Sequence, residues 1–300
     1  MIRARFHVLK LVSAIATMFC LIVVAGVVNA DPVLWRIQSK NSNNTVFLFG
    51  SIHVAVASVY PLRPEVETAY KSSEILVVEV DEAQADQVRM NEILMTRGFY
   101  QGTETIADHI NKETMQMLQS FLNSTGIPYA TIARMRPGLI AVTLTVARVV
   151  QLGYSPELGI DRYFLNKARK DKKPIHQLET AQAQLDLLLS FSNDDLLLKH
   201  TVVSLQDMDT MFEDIMSAWK SGDMKRIEAV MLTDQLNENP EFSALFKRLF
   251  DDRNTMMTQK IEQMLKKTKN YFVVVGAGHL VGEEGIVSLL KRHGYKIDQL

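Results

Sequence analysis

The sequence predicts an α/β fold: a central, mostly parallel sheet built from β-α-β parts at the two ends of the chain, with a large helical insertion between them. Three observations predict it. Two apolar runs, VFLF at 46–49 and ILVVEV at 75–80, flank a helical segment over 63–73, which is the pattern of a β-α-β unit. The C-terminal end repeats the alternation, with a strand at 271–275, a Gly-rich turn, a helix over 283–293 stopped by Gly294, and a final strand from Tyr295. Between these parts, residues 84–152 and 194–268 carry mostly helical periodicity.

Residues 1–30 hold Arg3, Arg5 and Lys10, then an uncharged apolar run over 11–28, then Val28-Asn29-Ala30. This basic, apolar, small-residue order is the layout of a secretory signal peptide cut before Asp31, and it predicts a periplasmic or secreted protein. Retained, the same run is long enough to anchor the chain in a membrane. Cys20 is the one cysteine and lies inside the run, so the exported chain has neither thiolate catalysis nor a cysteine-based zinc site.

No low-complexity linker divides residues 31–300, which read as a single domain. The first apolar run stops at Gly50. The first helical stretch is broken at Gly98, Gly102, Gly126-Ile127-Pro128 and Pro137-Gly138. Its segment 139–150 is apolar nearly all round, which predicts a buried helix too short to span a bilayer. Alternation resumes with a helix over 157–169, a strand over 173–178 and a helix over 181–190, and the second helical stretch is punctuated at Ser221-Gly222 and Asn239-Pro240.

A chain of 300 residues with 47% hydrophobic and 22% charged side chains is globular in composition. Without residues 1–30 it carries 30 basic against 34 acidic side chains, which excludes a nucleic acid or other polyphosphate held by bulk charge. The chemistry is concentrated instead in a repeated turn. Gly50-Ser51-Ile52-His53 follows one strand and Gly276-Ala277-Gly278-His279 follows another. Ligands of open α/β sheets bind beyond the C-terminal strand ends, so if the two strands are neighbours both imidazoles face one cavity. Glu79 interrupts the apolar strand ILVVEV, where a carboxylate is costly unless paired or metal-bound; Asp81 falls at the strand exit. His53, Glu79 and His279 therefore form a candidate two-histidine, one-carboxylate set, which suits Mn, Fe, Co or Zn with positions left for water.

Asp161 and Glu179 stand at element boundaries, where they either cap and pair on the surface or orient ligating histidines. Arg253 and Asn254 follow two aspartates at what reads as a helix start, a place where charges are usually solvated. His109, His176, His200 and His293 have no partner at ligand spacing and read as structural. The glycines at 276, 278 and 282 resemble a dinucleotide-binding loop, but the spacing is off by one. The HExxH, GxSxG and GxxxxGK[ST] signatures are absent.

Several blocks carry a resemblance: FGSIHVA (49–55), YPL (60–62), VVEVD (77–81), LGYSPELGIDRYF (152–164), KPIHQLET (173–180), DDRN (251–254) and VGAGHLVGEEGIVSLLKRHGY (275–295). In them the chain resembles the TraB/GumN family, which is similar to the Tiki metalloproteases and more distantly to erythromycin-esterase-like proteins. The resemblance implies a two-part α/β core with a helical insertion, and a site using the paired turns with the strand glutamate. It favours Mn or Co as the divalent metal, with Zn admissible, and implies a peptide or small ester as substrate. Its Arg-Asn pair makes Arg253 a candidate for binding a substrate carboxylate or a developing oxyanion. The leading expectation is an exported metal-dependent hydrolase, with Glu79 either a ligand or the general base. The alternatives are a metal-independent esterase-like hydrolase with His53 as base, and a non-catalytic binding protein for a peptide or saccharide signal.

Overall fold

β-Branched and aromatic residues nucleate the strands, and glycines and prolines set their limits. The computed structural model describes residues 31–38, 44–191 and 193–300; the expected signal segment lies outside them. In chain order the main elements are β1 (Leu34–Gln38), β2 (Thr45–Ser51), α1 (Pro64–Ser72), β3 (Ile75–Val78), α2 (Gln87–Arg97), α3 (Lys112–Thr125), α4 (Pro137–Gln151), α5 (Ile160–Lys170) and β4 (Ile175–Gln177). They continue with α6 (Ala181–Leu188), α7 (Asp194–Gln206), α8 (Met208–Ser221), α9 (Asp252–Leu265), β5 (Tyr271–Gly276), α10 (Ile286–Arg292) and β6 (Lys296–Gln299).

The strands form one sheet in the order β4-β3-β5-β2-β1-β6. β4, β3, β5 and β2 run parallel, while β1 and β6 close one edge antiparallel. The sheet is thus mostly parallel, as the alternation of strands and helices predicts. β5 comes from the C-terminal part and inserts between β2 and β3 of the first β-α-β unit, with Ser51 opposite Gly276 and Val78 opposite Val274. Every residue of β3 and β5 is buried, the signature of parallel strands covered on both faces. Phe49, Phe272, Phe164 of α5, Tyr70 of α1 and Trp219 of α8 interlock in this core, with ring centroids 4.8–6.1 Å apart. Each such ring buried contributes about 2–3 kcal/mol.

The helical region builds a second core around Tyr100, Ile106, Leu118, Phe121, Leu144 and Leu198. Helix ends follow local chemistry: Asn111 caps α3, and Gly126 and Gly222 end α3 and α8 in the left-handed conformation. Val54, Tyr154, Met211 and Phe212 pack against both cores. Val54 follows His53 directly, so the first turn sits at the junction of sheet and helices.

Two expectations need correction, and one strand has no counterpart in the sequence reading: β1 pairs with both β2 and β6. The helix expected over 157–169 starts as a tight turn, Pro156–Leu158, and the α-helix begins only after Gly159. Helix α4 is not buried all round: Val142, Val146 and Val150 are 41%, 45% and 55% exposed, because only its Ile140, Leu144 and Val149 side meets the second core. Among the described residues no helix is long and apolar enough to cross a membrane.

Candidate functional site

The C-terminal ends of β2, β5 and β3 lie side by side, and each delivers one of the expected residues. Beyond β2, the His53 turn is pinned by the start of α5, where the Ile160 N–H donates to the Ile52 carbonyl at 3.0 Å. Gly159 permits this approach, since a Cβ there would stand 2.2 Å from the His53 carbonyl oxygen. The first turn of α5 then presents Asp161. Its Oδ2 is 2.8 Å from His53 Nδ1, and its Oδ1 accepts from Ser51 Oγ at 2.7 Å. Burial pushes the Asp161 carboxyl up, but His53 and Ser51 together hold it below the usual range. In return the Asp161 carboxylate pushes His53 above its ordinary value. The His53 side chain stays 65% exposed.

Beyond β5, Gly276 leads into a tight turn, Ala277–His279, and His279 is only 5% exposed. Its Nδ1 lies 2.6 Å from Asn254 Oδ1, and Asn254 Nδ2 donates to the Glu284 carbonyl at 2.9 Å. That second bond fixes which way the amide points. The Asn254 oxygen must then receive the Nδ1 proton of His279, leaving a lone pair on Nε2. Burial pushes the His279 pKa down to about 4, so the ring is neutral at neutral pH. Phe250 packs against it, ring centroids 5.4 Å apart.

Glu79 stands one residue past the end of β3 and is 6% exposed. The Gly276 N–H donates to its Oε1 at 2.6 Å, while Arg253 Nη2 and Gln184 Nε2 donate to Oε2 at 2.8 and 3.4 Å. Arg253 also forks onto Glu179, with Nε 2.9 Å from Oε1 and Nη2 2.7 Å from Oε2, and its Nη1 donates to the Leu249 carbonyl. Burial pushes Glu179 up and Arg253 overcomes it, holding the carboxyl below its usual range. Arg253 enters this cluster from the start of α9, just after a wide π-helical turn, Lys247–Asp251. Insertions of this kind recur at functional sites because they re-aim the side chains that follow.

Gly276 lies at the centre. The position a Cβ would take on it is 3.3 Å from Glu79 Oε1, 3.3 Å from His53 Nε2 and 3.7 Å from His279 Cδ2, so the two rings approach within about 7 Å there. The missing side chain leaves a small cradle walled by both imidazoles and a carboxylate. Among the described residues no group of three His, Cys, Asp or Glu side chains is drawn together tightly enough to cage an ion. The donors nevertheless suit a divalent cation. Both histidines are anchored through Nδ1 and turn Nε2 inward, the arrangement that outer-shell partners impose on ligating imidazoles. Glu79 Oε1 is 3.9 Å from His279 Nε2, near the ~3.4 Å that separates two ligands on one tetrahedral ion.

The structure therefore gathers His53, Glu79, His279, Asp161, Glu179, Arg253 and Asn254 into one cluster. Asn254 and Arg253 are not the solvated helix-start charges that local sequence suggests; Asn254 is 2% exposed. Arg253 commits four of its five N–H groups to Glu79, Glu179 and Leu249. Ser51, Gln184 and the Gly276 N–H were missed in the sequence. Ser51 lay inside the repeated motif, whereas Gln184 sits on an ordinary amphipathic helix with no signal. His109 stacks on Tyr100, His200 is wedged between Phe242 and Phe246, and His293 pairs with Glu262.

A family model described as "TraB/PrgY/gumN family" matches residues 33–299. Among curated proteins, the chain is 26% identical to the Escherichia coli protein YbaP over 83% of this chain and 89% of that one. It is 24% identical to "Metalloprotease TIKI2" of Danio rerio and 21% identical to "Metalloprotease TIKI1" of Xenopus tropicalis, in each case over 88% of this chain and 60% of the relative. No solved structure matches. With the family match running from β1 to the last residues of β6 and enclosing both Gly-x-x-His turns, the chain belongs to the TraB/PrgY/gumN family.

Proposed function

We propose that the chain is an exported metal-dependent hydrolase of peptide or ester bonds, with His53, His279 and Glu79 facing the reacting group. The observation that carries this reading is the cradle at Gly276, where two imidazoles anchored through Nδ1 and one clamped carboxylate converge. The metalloprotease relatives support it. His53 Nε2, His279 Nε2 and Glu79 Oε1 would hold a divalent cation, with Mn or Co favoured by the resemblance and Zn admissible. When bound, such an ion supplies a water of lowered pKa and polarises a scissile carbonyl. Asp161 and Asn254 keep the two rings turned inward. Arg253 and the Gly276 N–H hold the Glu79 carboxylate in place and stop it from swinging away.

Metal content and turnover of the purified full chain test this. His53→Ala or His279→Ala should lower Mn²⁺ affinity at least tenfold while shifting the melting temperature little. Glu79→Gln separates two roles: loss of metal marks a ligand, while retained metal with abolished turnover marks a base. A double His53→Ala/His279→Ala variant that cleaves every wild-type substrate at the wild-type rate would overturn the assignment.

A second reading has its own observation. The Asp161 carboxylate orients His53, whose side chain is mostly exposed, in the geometry of a base that activates water directly once the ring has lost its proton, which its raised pKa places on the alkaline side. Under it, chelation leaves turnover unchanged while Asp161→Asn abolishes it.

A further inference from the structure

The parallel strands deliver the candidate cluster at their C-terminal ends, and their opposite ends carry a different chemistry. Three neighbouring strands, β4, β3 and β5, are entered there by the loops 170–174, 71–74 and 266–270. Their starts are level in register: Ile75 lies opposite Tyr271, and Leu76 opposite Ile175. Adjacent strands are about 4.8 Å apart, so the three loops meet the sheet within about 10 Å. Together the loops hold seven lysines against one aspartate and one glutamate, in a chain that is net acidic over 31–300. Lys173 turns inward and donates to the Tyr70 and Ser73 carbonyls. The other six, Lys71, Lys170, Lys172, Lys266, Lys267 and Lys269, are exposed. Lys269 reaches Glu74 at 3.8 Å, and among the described residues the remaining five form no ion pair.

Helix C-termini explain part of this. α1, α5 and α9 all end at this edge, where Lys71, Lys170 and Lys266 offset the negative pole of each macrodipole. Lys172, Lys267 and Lys269 lie beyond the helix ends and are surplus to that role. Lys172 even occupies the left-handed region, at φ 56°, where glycine is the ordinary residue. These helix ends point carbonyls rather than N–H groups outward, so they cannot cradle an enclosed anion; the lysine tips alone meet negative charge. The loops contain no arginine, and flexible point charges without a guanidinium fork suit a broad field of charge better than one bound group. We propose that this edge docks on an anionic phospholipid surface. Each lysine near such a surface adds to the attraction, while the net negative remainder of the chain is repelled. β5, six residues or about 20 Å long, then holds the Gly276 cluster clear of the headgroups. The proposal does not depend on what the cluster catalyses.

Flotation of the full chain with vesicles of phosphatidylcholine, alone or with about 30% phosphatidylglycerol, tests the proposal. Binding should be at least tenfold tighter to the anionic vesicles and should fall at least tenfold in about 0.5 M NaCl. The double change Lys172→Glu/Lys267→Glu reverses two exposed charges that form no ion pair and should weaken binding to the anionic vesicles at least tenfold. Amide hydrogen exchange locates the contact. Anionic vesicles should protect residues 71–74, 170–174 and 266–270, which attachment through residues 1–30 alone would leave unprotected. Inorganic phosphate or polyglutamate, added without vesicles, should protect none of the three loops. The proposal fails if both vesicle types bind alike, if the double variant binds as the wild type does, if the loops stay unprotected on anionic vesicles, or if phosphate or polyglutamate alone protects them.

Discussion

Single polar atoms decide what the cluster can do. Asn254 shows this most directly, because its Oδ1 fixes the tautomer of a buried histidine. Asn254→Leu strands the Nδ1–H of His279, which should cost about 1–3 kcal/mol of stability and lower Mn²⁺ affinity roughly 10–100-fold. Asn254→Asp restores an acceptor and should recover most of the metal affinity, an outcome that a purely structural role would not give. His200 offers a test away from the cluster. Burial pushes its pKa from 6.5 down to about 4, and among the described residues its Nε2 has no hydrogen-bond partner. The unfolded chain therefore binds this proton at a higher pH than the folded chain does. Stability from this residue is complete above pH 6.5, is lost as pH falls from 6.5 toward 4, and levels off below that. Because the ring is half-buried, the loss should be about 1–2 kcal/mol. Urea midpoints at pH 7 and pH 4.5 measure it, and His200→Phe should shrink the difference by that amount.

At the level of elements, the site depends on how closely α5 docks on the first turn. Gly159 is the contact point, and any side chain there meets the His53 carbonyl. Gly159→Ala must push helix and turn apart, at a cost of about 1–3 kcal/mol. The larger effect should be on activity, since a displacement near 1 Å of a reacting group costs about 100-fold. Thermal melting and kcat/KM together separate the two effects; unchanged kcat/KM would show that the docking does not position His53. Helix α4 teaches a different lesson. Its sequence is apolar nearly all round, but Val142, Val146 and Val150 stay exposed among the described residues. Periodicity reports which residues are apolar, and only packing decides which of them find a partner.

For the whole molecule, the order β3-β5-β2 assembles the site. Two ends of the chain, more than two hundred residues apart, contribute adjacent parallel strands, so neither half holds the cluster alone. The proposed export is also a whole-chain property. Intact-mass measurement on protein from the native host should show a chain beginning near Asp31, and a chain still carrying residues 1–30 would make it an anchored protein instead.

The α/β class, the repeated Gly-x-x-His turn and the odd glutamate in an apolar strand were determined by the sequence itself, because local patterns of period and punctuation set them. Asp161, Glu179, Arg253 and Asn254 could be named there as candidates, with capping or surface pairing equally open for the first two and solvation the ordinary reading for the last two. Only the tertiary structure decided between these. It did so by placing α5 against one turn and α9 against the other, which buried Asn254 and turned Arg253 onto two carboxylates. Gln184 and the Gly276 N–H were invisible for the same reason. A hydrogen bond between residues far apart in the chain leaves no periodic trace, and its partners are set by the register of strands that the whole fold brings together.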